Sequence, residues 1–384
     1  MQLPLILDGA TGTRLQKAGM PDGAGTEEWV LEHPEVLAEI QRSYVRAGSQ
    51  VLLTPTFGAN AYKLRDRGIP DSQYIDYNYR LAMITKEAAD GGVLVAGDIA
   101  PTGRLPYPYG DASMDSLISA YLVQAEGLEK AGVDLFIIET MMSLADARAA
   151  VMAVKQISEK PVFVTFTCDE NGRILTGGAV EAALITMQSM GVDAFGLNCS
   201  SGPDTMLDNI RRLTPYAKLP LIAKPNAGLP KLLNGRTVFD MAPEAFCMRV
   251  PEMAAAGVSV FGGCCGTDEE HIAALAEAVS NLNASDFAPP AGTGTEYLAS
   301  EREVFEITPD LGEGDFIRCS VDLQDDILDL QEEEKAVRIS IDDEDGLKEF
   351  ADALHVIKAP LVLRGKPELV ERAKLLYNGV PLCV

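Results

Sequence analysis

Ala256-Gly257-Val258-Ser259-Val260-Phe261-Gly262-Gly263-Cys264-Cys265-Gly266-Thr267 is the stretch on which the reading of this chain turns. It opens at the end of a helical pattern over residues 243–256, with Pro243 in the first turn, where a missing N–H is no loss. Gly257 then sits where a left-handed cap ends a helix and lets the chain turn into a strand. Residues 258–261 form a short, largely apolar run between glycines, the pattern of a buried strand. Two adjacent cysteines in a glycine frame close it.

The same helix–glycine–strand junction recurs at Ala131-Gly132-Val133-Asp134 and Met190-Gly191-Val192-Asp193. Working outward, strands are expected at residues 3–8, 50–57, 93–99, 135–139, 161–168, 194–198, 219–225 and 258–261. Helices are expected at 34–47, 72–89, 115–131, 143–157, 180–190, 203–213, 243–256 and 268–279. Eight β/α units in about 280 residues match the size and order of an α/β (β/α)8 TIM barrel. An open doubly wound sheet shares the alternation but does not require eight units. Gly9-Ala10-Thr11-Gly12, after the first strand, is neither a GxGxxG nor a P-loop sequence, so dinucleotide binding is not expected.

Beyond the eighth helix the texture changes. Residues 1–284 read as the barrel, and 285–314 as a linker containing Ala288-Pro289-Pro290-Ala291-Gly292-Thr293-Gly294. Residues 315–384 read as a small acidic α/β appendage, with strands at 316–323, 336–341 and 359–363 and helices at 346–354 and 367–377. A net charge of −25 over 384 residues argues against nucleic acid and anionic membrane as partners. The N-terminus lacks the basic segment and long apolar run of an export signal, and no apolar run is long enough to span a bilayer. The expectation is a cytoplasmic protein. Its seven cysteines then point to thiol or metal chemistry rather than a disulfide framework.

Functional groups of a TIM barrel gather at the C-terminal ends of its strands. Those ends carry Asp8; Thr54, Thr56 and Asn60; Asp98; Glu139; Thr167 and Cys168; Asn198 and Cys199; Lys224 and Asn226; and Cys264 and Cys265. Three thiolates, Cys199, Cys264 and Cys265, can converge on one zinc ion. Neighbouring residues of a regular strand face opposite ways, so the pair can share a metal only where the backbone curls, as its glycines permit. A vicinal disulfide is strained, and the remaining alternative is three buried apolar cysteines. Cys168 is expected to be structural, and Cys247, Cys319 and Cys383 to be packing residues.

Three thiolates leave one position on zinc open, which marks a catalytic site. They also leave a weak Lewis acid, suited to holding an exogenous thiol as thiolate. The expected reaction class is attack of that thiolate on an activated alkyl group. Asn226 or a water fills the fourth position beforehand. Asp8 and Glu139 can each pair with an ammonium, and backbone N–H groups of Gly9, Ala10 and Thr11 with a carboxylate. Together these describe an amino-acid thiol as substrate. Against this, Asp8 also reads as a turn-forming side chain and Glu139 as half of a buried ion pair. The histidines, His33, His271 and His355, fall in helical contexts, and His271 is expected to face solvent. Trp29 is expected to pack near the first helix. No Ser-His-Asp arrangement emerges.

The motifs Asp8-Gly9-Ala10-Thr11-Gly12-Thr13, Thr56-Phe57-Gly58, Ile138-Glu139-Thr140, Gly196-Leu197-Asn198-Cys199-Ser200, Lys224-Pro225-Asn226-Ala227-Gly228 and Gly262-Gly263-Cys264-Cys265-Gly266-Thr267 resemble those of the homocysteine S-methyltransferase family. They cover residues 1–282. The runs over 100–107 and 224–230 resemble most the homocysteine module of cobalamin-dependent methionine synthase. The resemblance implies a (β/α)8 barrel, zinc on Cys199, Cys264 and Cys265, and homocysteine as methyl acceptor. It implies that Asp8 and Glu139 meet the amino group, with the Gly9, Ala10 and Thr11 backbone near the carboxylate. Pro55 departs from the family's Thr-Asn-Thr-Phe and removes a polar side chain there. The implied donor is methylcobalamin or another methylcorrinoid on a separate protein, since no stretch reads as a cobalamin module. Residues 359–384 resemble part of the pterin-binding half of methionine synthase, which makes the appendage a remnant of such a domain. Two alternatives stand beside this reading: an onium donor such as betaine or S-methylmethionine, and a non-catalytic zinc and thiol-binding protein.

Overall fold

Eight parallel strands make one sheet: β1 (Leu5–Ile6), β2 (Val51–Leu53), β3 (Leu94–Ile99), β4 (Leu135–Met141), β5 (Val162–Phe166), β6 (Ala194–Asn198), β7 (Leu221–Lys224) and β8 (Val258–Phe261). They are ordered β1-β8-β7-β6-β5-β4-β3-β2, and a parallel bridge between Leu7 and Val51 joins the two ends. The sheet is therefore a closed (β/α)8 barrel, not an open doubly wound sheet. The computed structural model describes residues 2–106, 109–233, 236–287, 290, 292–333 and 336–384. Ala288, Pro289 and Ala291 of the expected linker, and Tyr107 of the loop after β3, lie outside the described residues.

Period-two alternation builds the barrel interior. Leu7, Leu53, Ala96, Ile137, Phe163, Ile222 and Val260 share one buried cluster inside it. Two residues further along their strands, Asp98, Glu139, Thr165 and Lys224 continue the inward series as a buried polar layer. The outward series, including Phe136, Ile138, Phe166, Phe195 and Phe261, packs against the surrounding helices in the larger core. Gly132, Gly191 and Gly257 hold φ of 73°, 71° and 102°, the left-handed caps their junctions predict.

Two expected elements are shorter than the patterns predict. Strand β2 stops at Leu53 rather than residue 57, ahead of Pro55, which has no N–H for a ladder. The helix expected over 243–256 is two pieces, Pro243–Cys247 and Val250–Ala255. Pro251 cannot donate to the carbonyl four residues back, which belongs to Cys247. Additional elements occupy loops: helices Gly12–Lys17, Thr26–Glu32 and Ala61–Asp66, and two antiparallel strands, Lys231–Leu233 and Arg236–Val238, after β7.

Within residues 285–314 the chain forms an antiparallel ribbon, Tyr297–Ala299 with Val304–Glu306. Its Ala299 packs with Ala182 and Ile185 of a barrel helix and bridges to Val380 near the chain's end. The C-terminal sheet holds β9 (Ile317–Arg318), β10 (Val337–Ile341), β11 (Leu361–Gly365) and β12 (Leu382–Cys383) in sequential parallel order, with its own core around Ile339, Phe350 and Leu363. The strand expected over 316–323 is only Ile317–Arg318, and the acidic run after it is a helix, Leu323–Glu333. Leu323 and Ile327, one turn apart, are buried there and explain the difference. Buried Arg148 of the barrel ties the two parts, donating to Asn378 Oδ1 at 3.0 Å and to the carbonyls of Lys374 at 2.9 Å and Leu375 at 3.1 Å. Among the described residues no helix is long and apolar enough to cross a membrane.

Candidate active site

At the C-terminal mouth, the Sγ atoms of Cys199, Cys264 and Cys265 lie within 4.8 Å of one another, all half-buried. The segment after β7 holds the two cysteine-bearing turns together. On one side the Cys199 N–H donates to Lys224 O at 3.1 Å, and Asn226 N–H to Ser201 O at 3.0 Å. On the other, the Cys264 N–H donates to Pro225 O at 2.9 Å, and Ala227 N–H to Cys265 O at 3.0 Å. Cys199 and Ser200 adopt φ of 61° and 58°, a left-handed turn that costs about 1–2 kcal/mol per residue for side-chain-bearing residues. The Cys264 turn needs its glycines for space as well. A Cβ on Gly263 would lie 2.3 Å from Thr267 Oγ1, and one on Gly266, at φ 83°, 2.2 Å from Phe239 Cβ.

Three sulfurs about 2.3 Å from one zinc at tetrahedral angles stand about 3.8 Å apart, which the cluster accommodates with small movements. Hydrogen bonds from Cys264 and then Cys265 hold the Cys199 thiol far below its ordinary range. Sharing with Cys199 pushes Cys264 and Cys265 up. Beside the cluster, Asn226 is 3% exposed, and its Oδ1 has no hydrogen-bond partner among the described residues. A buried acceptor without a donor fits an oxygen ligand to a cation.

The polar layer lies below. Lys224, on β7, pairs with Glu139, on β4, and both are buried. The ion-pair alternative for Glu139 therefore describes its contact. Burial works against the Lys224 ammonium, yet Glu139, Asp8 and Cys264 hold it above its ordinary value. Asp8 is 1% exposed and accepts from the Leu53 N–H at 2.9 Å. Burial pushes its carboxyl up to about 7, against the opposing pull of Lys224. The β4–β5 register shifts between Ile138 and Met141, and Thr140 adopts φ 60°, so Glu139 sits at a local bulge.

Asn198, not singled out as a site residue from sequence, joins the two groups. Its Oδ1 accepts from Thr140 N–H at 2.9 Å and Thr165 Oγ1 at 2.9 Å. Its Nδ2 donates to Thr140 Oγ1 at 2.7 Å and lies 3.9 Å from Cys264 Sγ. Thr267 is a second such residue, donating to Cys264 O at 2.8 Å while accepting from Ala10 N–H at 3.1 Å. That bond corrects one expectation: the Ala10 N–H is engaged, so Gly9 and Thr11 carry the remaining amides of the three. Neither has a hydrogen-bond partner for its N–H among the described residues.

Other expectations change with the structure. His271 does not face solvent; it is 6% exposed. Its Nδ1 accepts from the Asp268 N–H at 3.4 Å while its own backbone N–H donates to Asp268 Oδ1 at 3.4 Å, a capping box, and its Nε2 lies 2.9 Å from Met241 O. Cys383, expected to pack, is exposed on the edge strand β12, whereas Cys247 is buried and Cys319 half-buried. Cys168 lies outside the cluster, 3.4 Å from Asn209 Nδ2, and burial pushes its thiol up to about 12. Trp29 stacks on His33 with ring centroids 4.3 Å apart.

A family model described as homocysteine S-methyltransferase matches residues 5–279. Over 300 residues the chain is 34% identical to the methionine synthase of Mycobacterium leprae, covering 73% of this chain and 25% of that protein. The methionine synthase of Mycobacterium tuberculosis gives the same figures over 299 residues. The chain thus spans about a quarter of the length of these curated relatives. Among solved structures it is similar in fold to the metallated form of the homocysteine methyltransferase MmuM from Escherichia coli. The TM-score is 0.62 at 24% identity, covering 72% of this chain and 96% of that one.

Proposed function

The chain belongs to the homocysteine S-methyltransferase family, and from that premise we propose that it transfers a methyl group to the thiol of homocysteine, forming methionine. The observation that carries the reading is the convergence of Cys199, Cys264 and Cys265 beside the unpartnered Asn226 Oδ1. These three cysteines would hold zinc, with Asn226 as the exchangeable oxygen ligand. A bound zinc supplies one thing here, a thiol kept as thiolate at neutral pH. The protein's own residues do the rest. Asp8 and Glu139 draw the ammonium to the barrel mouth, and the Gly9 and Thr11 amides meet the carboxylate. The amino acid is thereby fixed at two points and its sulfur directed at the cluster. Such positioning turns an encounter into a near-unimolecular step. The new S–C bond forms as the donor–carbon bond breaks, and the electron pair of the broken bond stays with the donor.

The methyl donor in this reading is a methylcorrinoid carried on a separate protein. Support comes from the 100–107 and 224–230 runs and from the 34% identity to proteins called methionine synthase. A donor panel tests it: zinc-loaded protein with homocysteine and, separately, methylcobalamin, betaine or S-methylmethionine, assayed for methionine. Methionine from methylcobalamin alone is the expected result. Methionine from an onium donor alone would replace the donor assignment, and none from any donor would overturn the acceptor assignment.

A further inference from the structure

Asp8, Asp98, Glu139 and Lys224 are buried ionisable groups at the strand ends, and Asp98 is neither paired among the described residues nor used in the reading above. Asp98 continues the inward series of β3 after Leu94 and Ala96, on the strand next to that of Glu139. It is 4% exposed, and its Oδ1 has no hydrogen-bond partner among the described residues. The other buried carboxyls nearby are supplied with donors: Asp8 by the Leu53 N–H, Glu139 by Lys224, and Asp146 by Thr102 at 2.9 Å. Lys63, the next cation along, is occupied with Phe57, donating to its carbonyl at 3.2 Å and lying 5.0 Å from its ring centroid.

Leaving a buried carboxyl oxygen without a donor is costly unless a ligand provides one. Charge gives the same answer. Among the described residues Asp8, Asp98 and Glu139 share one buried lysine, Lys224, so the layer has room for a second cation. Burial, then the Glu139 charge, holds the Asp98 carboxyl well above its ordinary range while it lacks that cation.

We propose that Asp98 is a third acceptor of the substrate-ammonium site: its Oδ1 takes an N–H of an amino-acid thiol whose sulfur lies at the cysteine cluster. The proposal rests on the homocysteine reading of the site. It makes Asp98 a determinant of specificity for α-amino thiols over thiols of the same length without the amine.

Calorimetric titration of zinc-loaded protein with L-homocysteine and with 4-mercaptobutanoate, which lacks only the amino group, tests it. Asp98→Asn, which keeps the shape and removes the charge, is compared with Asp98→Ala; if the alanine variant fails to fold, the isosteric one decides. Each variant is expected to bind homocysteine about tenfold or more weakly, the loss of a charged hydrogen bond. Its affinity for 4-mercaptobutanoate, and its zinc affinity by chelator competition, are expected to stay within about twofold of wild type. Equal losses for both thiols, or unchanged homocysteine binding, would overturn the proposal alone. Wild-type protein that binds neither thiol would overturn it together with the reading beneath it.

Discussion

Cys199, Cys264 and Cys265 stand on backbone that has left its strands, whereas Asp98, Glu139 and Lys224 stand on the strands themselves. The first group depends on left-handed turns at Cys199 and Ser200 and on glycines that leave room for Thr267 and Phe239. The second depends on alternation continuing past the apolar layers of the barrel, with a bulge at Glu139 on β4. The sulfurs are half-buried; Glu139 and Lys224 are buried and paired with each other, and Asp98 is buried beside them. Turns beyond the strand ends place the groups that would exchange a ligand, and the strands themselves place the buried charged layer. Asn198 belongs to both, at the end of β6 and within reach of Cys264 and Thr140.

Removing a sulfur breaks the contrast most severely. Cys264→Ser is expected to lose zinc by metal analysis and to lower methionine formation by about a thousandfold or more, since the metal's whole contribution goes with it. Cys168→Ser, outside the cluster, is expected to keep wild-type zinc content. At the fixed end, Lys224→Met leaves Glu139 buried without its cation. It is expected to cost about 3–5 kcal/mol in urea unfolding of the metal-free protein. Unchanged stability would mean that the carboxylate layer is not held by that pair.

Asn198→Ala probes the link between the two ends. Loss of an outer hydrogen bond to a metal ligand typically costs about 10–100-fold in metal affinity, and chelator competition should show that range. The last effect is a slope. Asp8 has a folded-state pKa of about 7 against an ordinary 3.8, so the folded protein binds the proton more tightly than the unfolded chain. Its contribution to stability therefore falls as pH rises from about 4 to about 7, by no more than about 1.4 kcal/mol per pH unit. Asp8→Asn is expected to flatten that part of the urea-derived stability profile, and an unaltered profile would contradict the burial argument.

How much of this was legible follows from which signals are local. The barrel was readable because each β/α junction repeats its own punctuation, with Gly132, Gly191 and Gly257 as its plainest marks. The sulfurs were readable because a cysteine pair between glycines is a local anomaly. Boundaries failed where one proline decides them: Pro55 ends β2 early and Pro251 divides a helix. His271 reads as solvent-facing because its acidic neighbours look like a surface, whereas Asp268 turns the ring inward as a helix cap. The Lys224–Glu139 pair joins residues 85 apart in sequence across the barrel, and no local pattern announces it. The same holds for Thr267, whose hydroxyl takes the Ala10 N–H. Asp98 was visible as a strand-end residue, but its lack of a donor is a property of packing alone.

The central claim is that the cysteine cluster holds zinc with one exchangeable position for the substrate's sulfur. Zinc X-ray absorption on the metal-loaded protein, with and without homocysteine, tests it most directly. The account predicts three sulfurs and one lighter ligand without homocysteine, and four sulfurs with it. A zinc that keeps three sulfurs and the same lighter ligand at saturating homocysteine would contradict it.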